Sequence, residues 1–206
     1  MKTEIIPVIH MLNINQVLTN VNIVKNAGLN KVFIINHTVS DEDLINCALY
    51  VKAKYPELWI GINRLSKTQK QALSQNIEVD ALWCDQTISI EDYQNKQFKG
   101  QVFGGIAFKY QPQPKDIKQA CIEAISATDV ATTSGPGTAH EANINKILTI
   151  RECLNQHPMA IASGVNSKNI LQYKGIVNYL LVASSITSRT EIIQEDKLNE
   201  LIQILN

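Results

Sequence analysis

The chain has 206 residues, 45% of them hydrophobic and 18% charged, with 19 basic and 19 acidic side chains cancelling to a formal net charge of zero. That balance suits a globular protein with a substantial core, and it excludes the cationic surface that non-specific nucleic-acid binding needs. No apolar run approaches the roughly 20 residues of a membrane helix, and no basic stretch followed by an apolar one leads the chain.

The elements are read in chain order from hydrophobic periodicity. A β-branched apolar run at 5–9 is followed by helical periodicity over 16–26, which Gly28 ends. The run VFII within 31–35 precedes a helix over 41–54. Ser40 is placed to cap that helix, with Asp41, Glu42 and Asp43 at its positive end. Pro56 breaks the chain before a strand at 58–62, and a helix over 68–76 follows. Strands at 81–84, 102–107 and 129–133 alternate with helices over 90–97, 115–126 and 142–156. Pro158 precedes a strand at 159–162, then a short helix near 169–173 stops at Gly175. A strand at 179–182 and a helix over 197–204 complete the series.

Runs such as VFII, LWIGI and YLLV are apolar without alternation, the pattern of parallel strands covered on both faces. Eight strands alternating with eight helices predict an α/β chain folded over residues 1–206 as one (β/α)8 TIM barrel of the phosphate-binding type. An open doubly wound sheet would carry a glycine-rich turn after the first strand. Here that turn reads His10-Met11-Leu12-Asn13. Cys47, Cys84, Cys121 and Cys153 have neither CxxC nor zinc-finger spacing. They read as small buried hydrophobes of a reducing, cytoplasmic protein. Zero net charge also weakens self-repulsion, so a homo-oligomer is expected.

In a barrel of this kind function sits in the loops after the strands. The seventh strand leads into Ser163-Gly164-Val165 and the eighth into Ala183-Ser184-Ser185. Both turns are built of small residues, whose backbone N–H groups can converge on one oxyanion, and the serines add hydroxyl donors. A helix starting near Ser167, or the one after the eighth strand, is expected to aim its positive end at the same point. The sixth strand leads into Ser134, Gly135, Pro136, Gly137 and Thr138, a loop suited to hugging a ligand. Other strand ends carry His10, Asn36 and His37, Asn63 and Arg64, Asp85, and Lys109. Asp85 suits a general base and His10 or His37 an acid. Lys109 would balance ligand charge or serve as a nucleophilic amine. Asn36, Asn63 and Arg64 would contact substrate. No HExxH motif, carboxylate cluster or P-loop is present, and no metal is expected.

Thr133-Ser134-Gly135-Pro136-Gly137-Thr138, then Ile161-Ala162-Ser163-Gly164-Val165 and Asn169, then Leu180 to Ile186, resemble the carboxyl-terminal half of the BtpA family. Ile6-Pro7-Val8-Ile9-His10-Met11 and Gly61-Ile62-Asn63-Arg64-Leu65 resemble its first- and third-strand segments more loosely. The resemblance is specific over residues 129–186. The proline-rich turn that follows the first strand in the family is absent here. The family is named for a photosystem I biogenesis protein and is assigned to the phosphate-binding (β/α)8 barrels. The resemblance therefore implies that fold and a phosphate pocket.

The expected function is binding of a phosphorylated small molecule, a sugar phosphate or nucleotide, with isomerase or lyase chemistry. Asp85, Lys109 and a histidine would act at the end away from the phosphate. No cofactor is required, although the same phosphate site can hold FMN. The alternative is a non-catalytic, BtpA-like assembly or regulatory protein that keeps the pocket.

Overall fold

The computed structural model describes residues 1–206. The strands are β1 (Glu4–His10), β2 (Lys31–Ile35), β3 (Trp59–Asn63), β4 (Ala81–Cys84), β5 (Gln101–Gly105), β6 (Val130–Ser134), β7 (Met159–Ala162) and β8 (Tyr179–Val182). All pair in parallel, each with its sequence neighbour, and β8 returns to β1 through Ile5 opposite Leu180 and Ile6 opposite Leu181. The predicted (β/α)8 barrel is thus closed.

The helices are α1 (Ile14–Asn26), α2 (Asp41–Lys54), α3 (Gln69–Leu73), α4 (Ile90–Gln94), α5 (Ile117–Ala127), α6 (Ile144–Leu154) and α7 (Glu195–Leu205). Ser40 caps α2 as its sequence suggests, its hydroxyl accepting the Asp43 N–H at 3.0 Å. Gly28 and Gly175 follow their helical segments in the left-handed region, at φ +79° and +76°. One expected helix differs: between β7 and β8 there is only a single 3-10 turn, Ile170–Tyr173, whereas the last helix, expected over 197–204, runs from Glu195 to Leu205.

Both strand faces are apolar because both are covered. Outward residues such as Ile9, Ile34, Ile62, Met159 and Leu180 pack under the helices. Inward residues form a separate interior of Ile6, Phe33, Trp83, Phe103, Ala160 and others. Phe33 is its centre, meeting Trp59, Trp83 and Phe103 edge to face at centroid distances of 5.3, 5.6 and 5.1 Å. The expected fifth strand overruns the observed one. Ala107 turns left-handed at φ 46°, and the chain folds Phe108 back into the barrel beside Trp83. Cys47, Cys84 and Cys121 are buried free thiols, whereas Cys153 is half-buried.

Gly61 lies on β3 opposite Phe33, and a methyl group there would run into the Phe33 ring. Phe33 is fully buried and cannot swing away. Gly61→Ala should therefore lower stability by about 1–3 kcal/mol, the usual range for overpacking a filled core. Urea denaturation measures it, and an unchanged midpoint would mean that the aromatic interior yields.

Candidate functional site

The carboxyl ends of the strands surround a cavity of about 400 Å³. His10 closes β1 and Asn63 closes β3, while Asp85 follows β4 directly, so the pleat aims all three inward. His37 reaches the cavity from the turn after β2. From the expected phosphate turns, Ser163, Gly164, Val165, Ala183, Ser184 and Ser185 all line it, and Thr138 joins them from the loop after β6.

The two turns meet because β7 and β8 are paired neighbours, with Ala162 opposite Leu181. None of the backbone N–H groups of the six turn residues donates to a protein acceptor. The Ser185 hydroxyl is buried and likewise has no partner. Ser163 and Gly164 are both left-handed, at φ 77° and 75°. A Cβ on Gly164 would strike the His140 carbonyl, so glycine is required by the fold at this point as well as by any ligand. Asn166 and Asn169 hold the turn from behind, each donating to the Gly164 carbonyl, at 3.1 and 2.8 Å.

Lys109 is not at the far end of the cavity. Its ammonium donates to Ser163 Oγ at 2.6 Å and to Thr138 Oγ1 at 3.3 Å, which sets a cation beside the β7 turn. Its backbone N–H donates to Ser134 Oγ at 2.7 Å. Burial lowers the Lys109 pKa, against the opposing pull of the Asp85 charge. Asp85 is pushed the other way. Burial raises its carboxyl above the ordinary range, although the Asn63 amide donates to it at 2.9 Å and Lys109 lies near. His10 and His37 stack edge to face with centroids 4.8 Å apart. Burial, then the neighbouring His10 and Lys109, lower the His37 pKa, while Glu191 raises it.

Several expected substrate contacts do not face the cavity. Asn36 is buried behind the wall, donating to the Val39 carbonyl and accepting the Leu65 N–H. Arg64 forms a two-pronged pair with Asp41 at the start of α2, with contacts of 2.8 and 2.6 Å. It borders a smaller recess of about 100 Å³ instead. The alternation of a strand explains both: inward Ile35 and His37 leave Asn36 outward, and inward Asn63 leaves Arg64 outward. The Ser134 hydroxyl is consumed by the Lys109 N–H and the Gly135 carbonyl. Gly135 and Gly137 lie against the His140 segment, and neither lines the cavity.

The sequence reading did not include Glu191. Its Oε2 lies 3.2 Å from His10 Nδ1, close enough to pair though short of hydrogen-bond alignment. The residue is left-handed at φ 55°. Its carbonyl accepts amide donors from Gln16 at 2.7 Å and Asn20 at 2.8 Å, both buried on α1. Two buried amides one helical turn apart were the available signal, since such groups need a partner from elsewhere in the chain.

No protein-family model and no curated protein sequence matches the chain, so neither comparison shows the BtpA family. Solved structures do match in fold. One described as native KDPGal aligns with a TM-score of 0.71 and 16% identity over 99% of this chain and 95% of that one. A KDPG aldolase from Legionella pneumophila, with pyruvate captured as a covalent carbinolamine, has a TM-score of 0.67 and 13% identity over 99% of this chain and 93% of that one. A phosphoribosylanthranilate isomerase bound to a reduced 1-(o-carboxyphenylamino)-1-deoxyribulose 5-phosphate has a TM-score of 0.66 and 12% identity over 98% of each chain. The chain shares its barrel with these aldolases and isomerases.

The raised Asp85 pKa has a consequence for stability. The folded chain keeps a proton there that the unfolded chain releases, so stability falls as pH rises from the ordinary carboxyl range, about 4, through the folded value. Asp85→Asn removes that loss. Its melting temperature should exceed that of the wild type at pH 7–8, and the two should converge near pH 3. Thermal denaturation across this range decides it, and a less stable variant at pH 7 would show that Lys109 and Asn63 outweigh burial.

Proposed function

We propose that the chain binds a phosphorylated small molecule at the carboxyl face of the barrel and acts on it as an isomerase or lyase. One observation carries this: two turns on adjacent strands present partnerless N–H groups to a single cavity, with the Lys109 ammonium beside them. Such groups suit an oxyanion bearing several acceptor oxygens. The backbone donors, the serine hydroxyls and Lys109 would hold the phosphate.

Proton transfer falls to the groups across the mouth. Burial raises the Asp85 pKa, which makes its carboxylate a stronger base than a free one and suits it to proton abstraction beside a carbonyl. His10 is its partner. The Glu191 carboxylate faces Nδ1 and favours a proton there, which leaves Nε2 as the basic atom. The Legionella structure holds pyruvate as a covalent carbinolamine, and the amine available in this cavity is Lys109. Its lowered pKa enlarges the neutral, nucleophilic fraction, so a lyase version of the reading uses it. None of these steps requires a metal or FMN, and a phosphorylated substrate fits the cytoplasmic setting expected from the sequence.

A second reading is a BtpA-like assembly or regulatory protein that retains the pocket. The observation favouring it is apolar surface remote from the mouth. Ile122 and Ile125 on α5 and Leu148 on α6 are 58%, 41% and 46% exposed, on helices that pack side by side. The same surface is where a second copy of the chain would dock. Turnover of any phosphorylated substrate separates the two readings.

Ser184 lines the cavity but is exposed, so Ser184→Asp tests the phosphate site without disturbing the core. A carboxylate a few ångströms from a phosphate, partly screened by solvent, should weaken binding by roughly tenfold to a hundredfold. Calorimetric titration with inorganic phosphate measures the change, and equal affinities would remove the anion from this turn.

The role of Glu191 is open to a direct spectroscopic check. Nitrogen-15 NMR of the imidazoles should find the neutral His10 protonated on Nδ1 in the wild type and a mixture of tautomers in Glu191→Gln. In the same variant the His37 pKa should fall further, because the one charge that raises it has gone. Unchanged tautomer and titration would make Glu191 a bystander.

A further inference from the structure

Inward residues two apart on a strand differ in depth by one step of roughly 7 Å. By that measure the cavity wall has two levels. The upper level carries His10, His37, Asn63 and Asp85, with Lys109 added from its loop. One step deeper on the same or neighbouring strands lie Val8, Ile35, Trp83 and Leu181, with Ala162 from β7. All five reach the cavity, and the only polar atom among their side chains is the Trp83 indole Nε1, which has no acceptor in the protein.

The other polar groups of the cavity all lie at the upper level, and part of their capacity is already used within the protein. Asn63 donates to Asp85, Lys109 donates to Ser163, and His10 faces Glu191. The Asn166 side chain is shared between the Gly164 carbonyl and the Lys168 N–H. A polyhydroxylated chain lowered into this cavity would bring hydroxyls that each need a donor and an acceptor, against a floor that offers almost none.

We propose that the ligand is a phosphate ester whose carbon skeleton carries a flat apolar group, an aromatic ring above all, rather than a sugar chain rich in hydroxyls. The inference rests on the phosphate-binding reading of the same cavity. The phosphate sits on the two turns at the rim, and the ring descends among Val8, Ile35, Trp83 and Leu181. Apolar burial and an edge-to-face approach to the Trp83 indole hold it there. Any reacting carbon lies between ring and phosphate, level with Asp85 and His10.

The test is a calorimetric series with three probes at one salt concentration: inorganic phosphate, glycerol 3-phosphate and phenyl phosphate. The last two are monoesters of equal charge. Phenyl phosphate should bind about tenfold or more tightly than glycerol 3-phosphate, as burying one ring implies. Leu181→Asn, where it folds, should bring phenyl phosphate down to the glycerol 3-phosphate level and leave inorganic phosphate unchanged. If glycerol 3-phosphate binds the wild type as well as phenyl phosphate or better, the aromatic ligand is overturned while the phosphate site stands. If none of the three binds at millimolar concentration, the phosphate reading falls, and this inference falls with it.

Discussion

The barrel is organised around one aromatic ring. Phe33 on β2 fills the interior against side chains of β3, β4 and β5, and Gly61 is the space that lets it do so. Trp59, Trp83 and Phe103 meet it edge to face, and Phe108 adds a plug from the loop after β5. Bulk is therefore concentrated on one side of the interior. The opposite side is walled by small inward residues, Thr132 on β6 and Ala160 and Ala162 on β7. With the lower barrel filled, open volume remains at the mouth, where β1, β7 and β8 supply much of the lining. The position of the cavity thus follows from how large and small side chains are distributed among the strands.

The mouth is also where the backbone is least relaxed. Of the six non-glycine residues in the left-handed region, Ala107, Tyr110, Ala139, Ser163 and Glu191 belong to the loops beyond the carboxyl ends of the strands, and only Asn155 lies elsewhere. Such conformations cost on the order of 1 kcal/mol or more each, and persist where surrounding contacts fix them. Those contacts are visible. The Lys146 ammonium on α6 donates to the Ala107 and Ser134 carbonyls, and burial lowers its pKa. Gln16 and Asn20 hold Glu191 in place. Tyr110 accepts the Thr138 N–H with its hydroxyl at 3.2 Å. Side chains from the helical layer thereby set the loops that carry the cavity's charges.

Those charges have opposite settings. The same burial that holds back ionisation of Asp85 also disfavours protonation of Lys109 and His37. In all three the buried environment favours the uncharged form, which raises an acid's pKa and lowers a base's. The Arg64–Asp41 pair shows the contrast. It is a two-pronged ion pair outside the cavity that depresses the Asp41 pKa and joins the β3 loop to α2.

The amino-acid sequence by itself determined the elements, their parallel order and the two small-residue turns after β7 and β8. All of these are local: hydrophobic periodicity, cap residues and glycines act within a few positions of one another. Strand alternation also held information about Asn36 and Arg64, since two adjacent residues cannot both face the barrel axis. What only the tertiary structure decided was where long side chains reach. Lys109 meets Ser163 because Phe108 folds into the barrel and redirects the chain, and nothing near Lys109 in the sequence specifies that plug. Glu191 meets His10 because two amides on α1, some 170 residues earlier, hold its carbonyl. The short helix expected after β7 closes into a single 3-10 turn, whereas the last helix formed where periodicity put it, after the chain from β8 had first returned to α1. Contacts of such long sequence separation depend on barrel closure, which brings the two ends of the chain side by side, and no local pattern encodes their register.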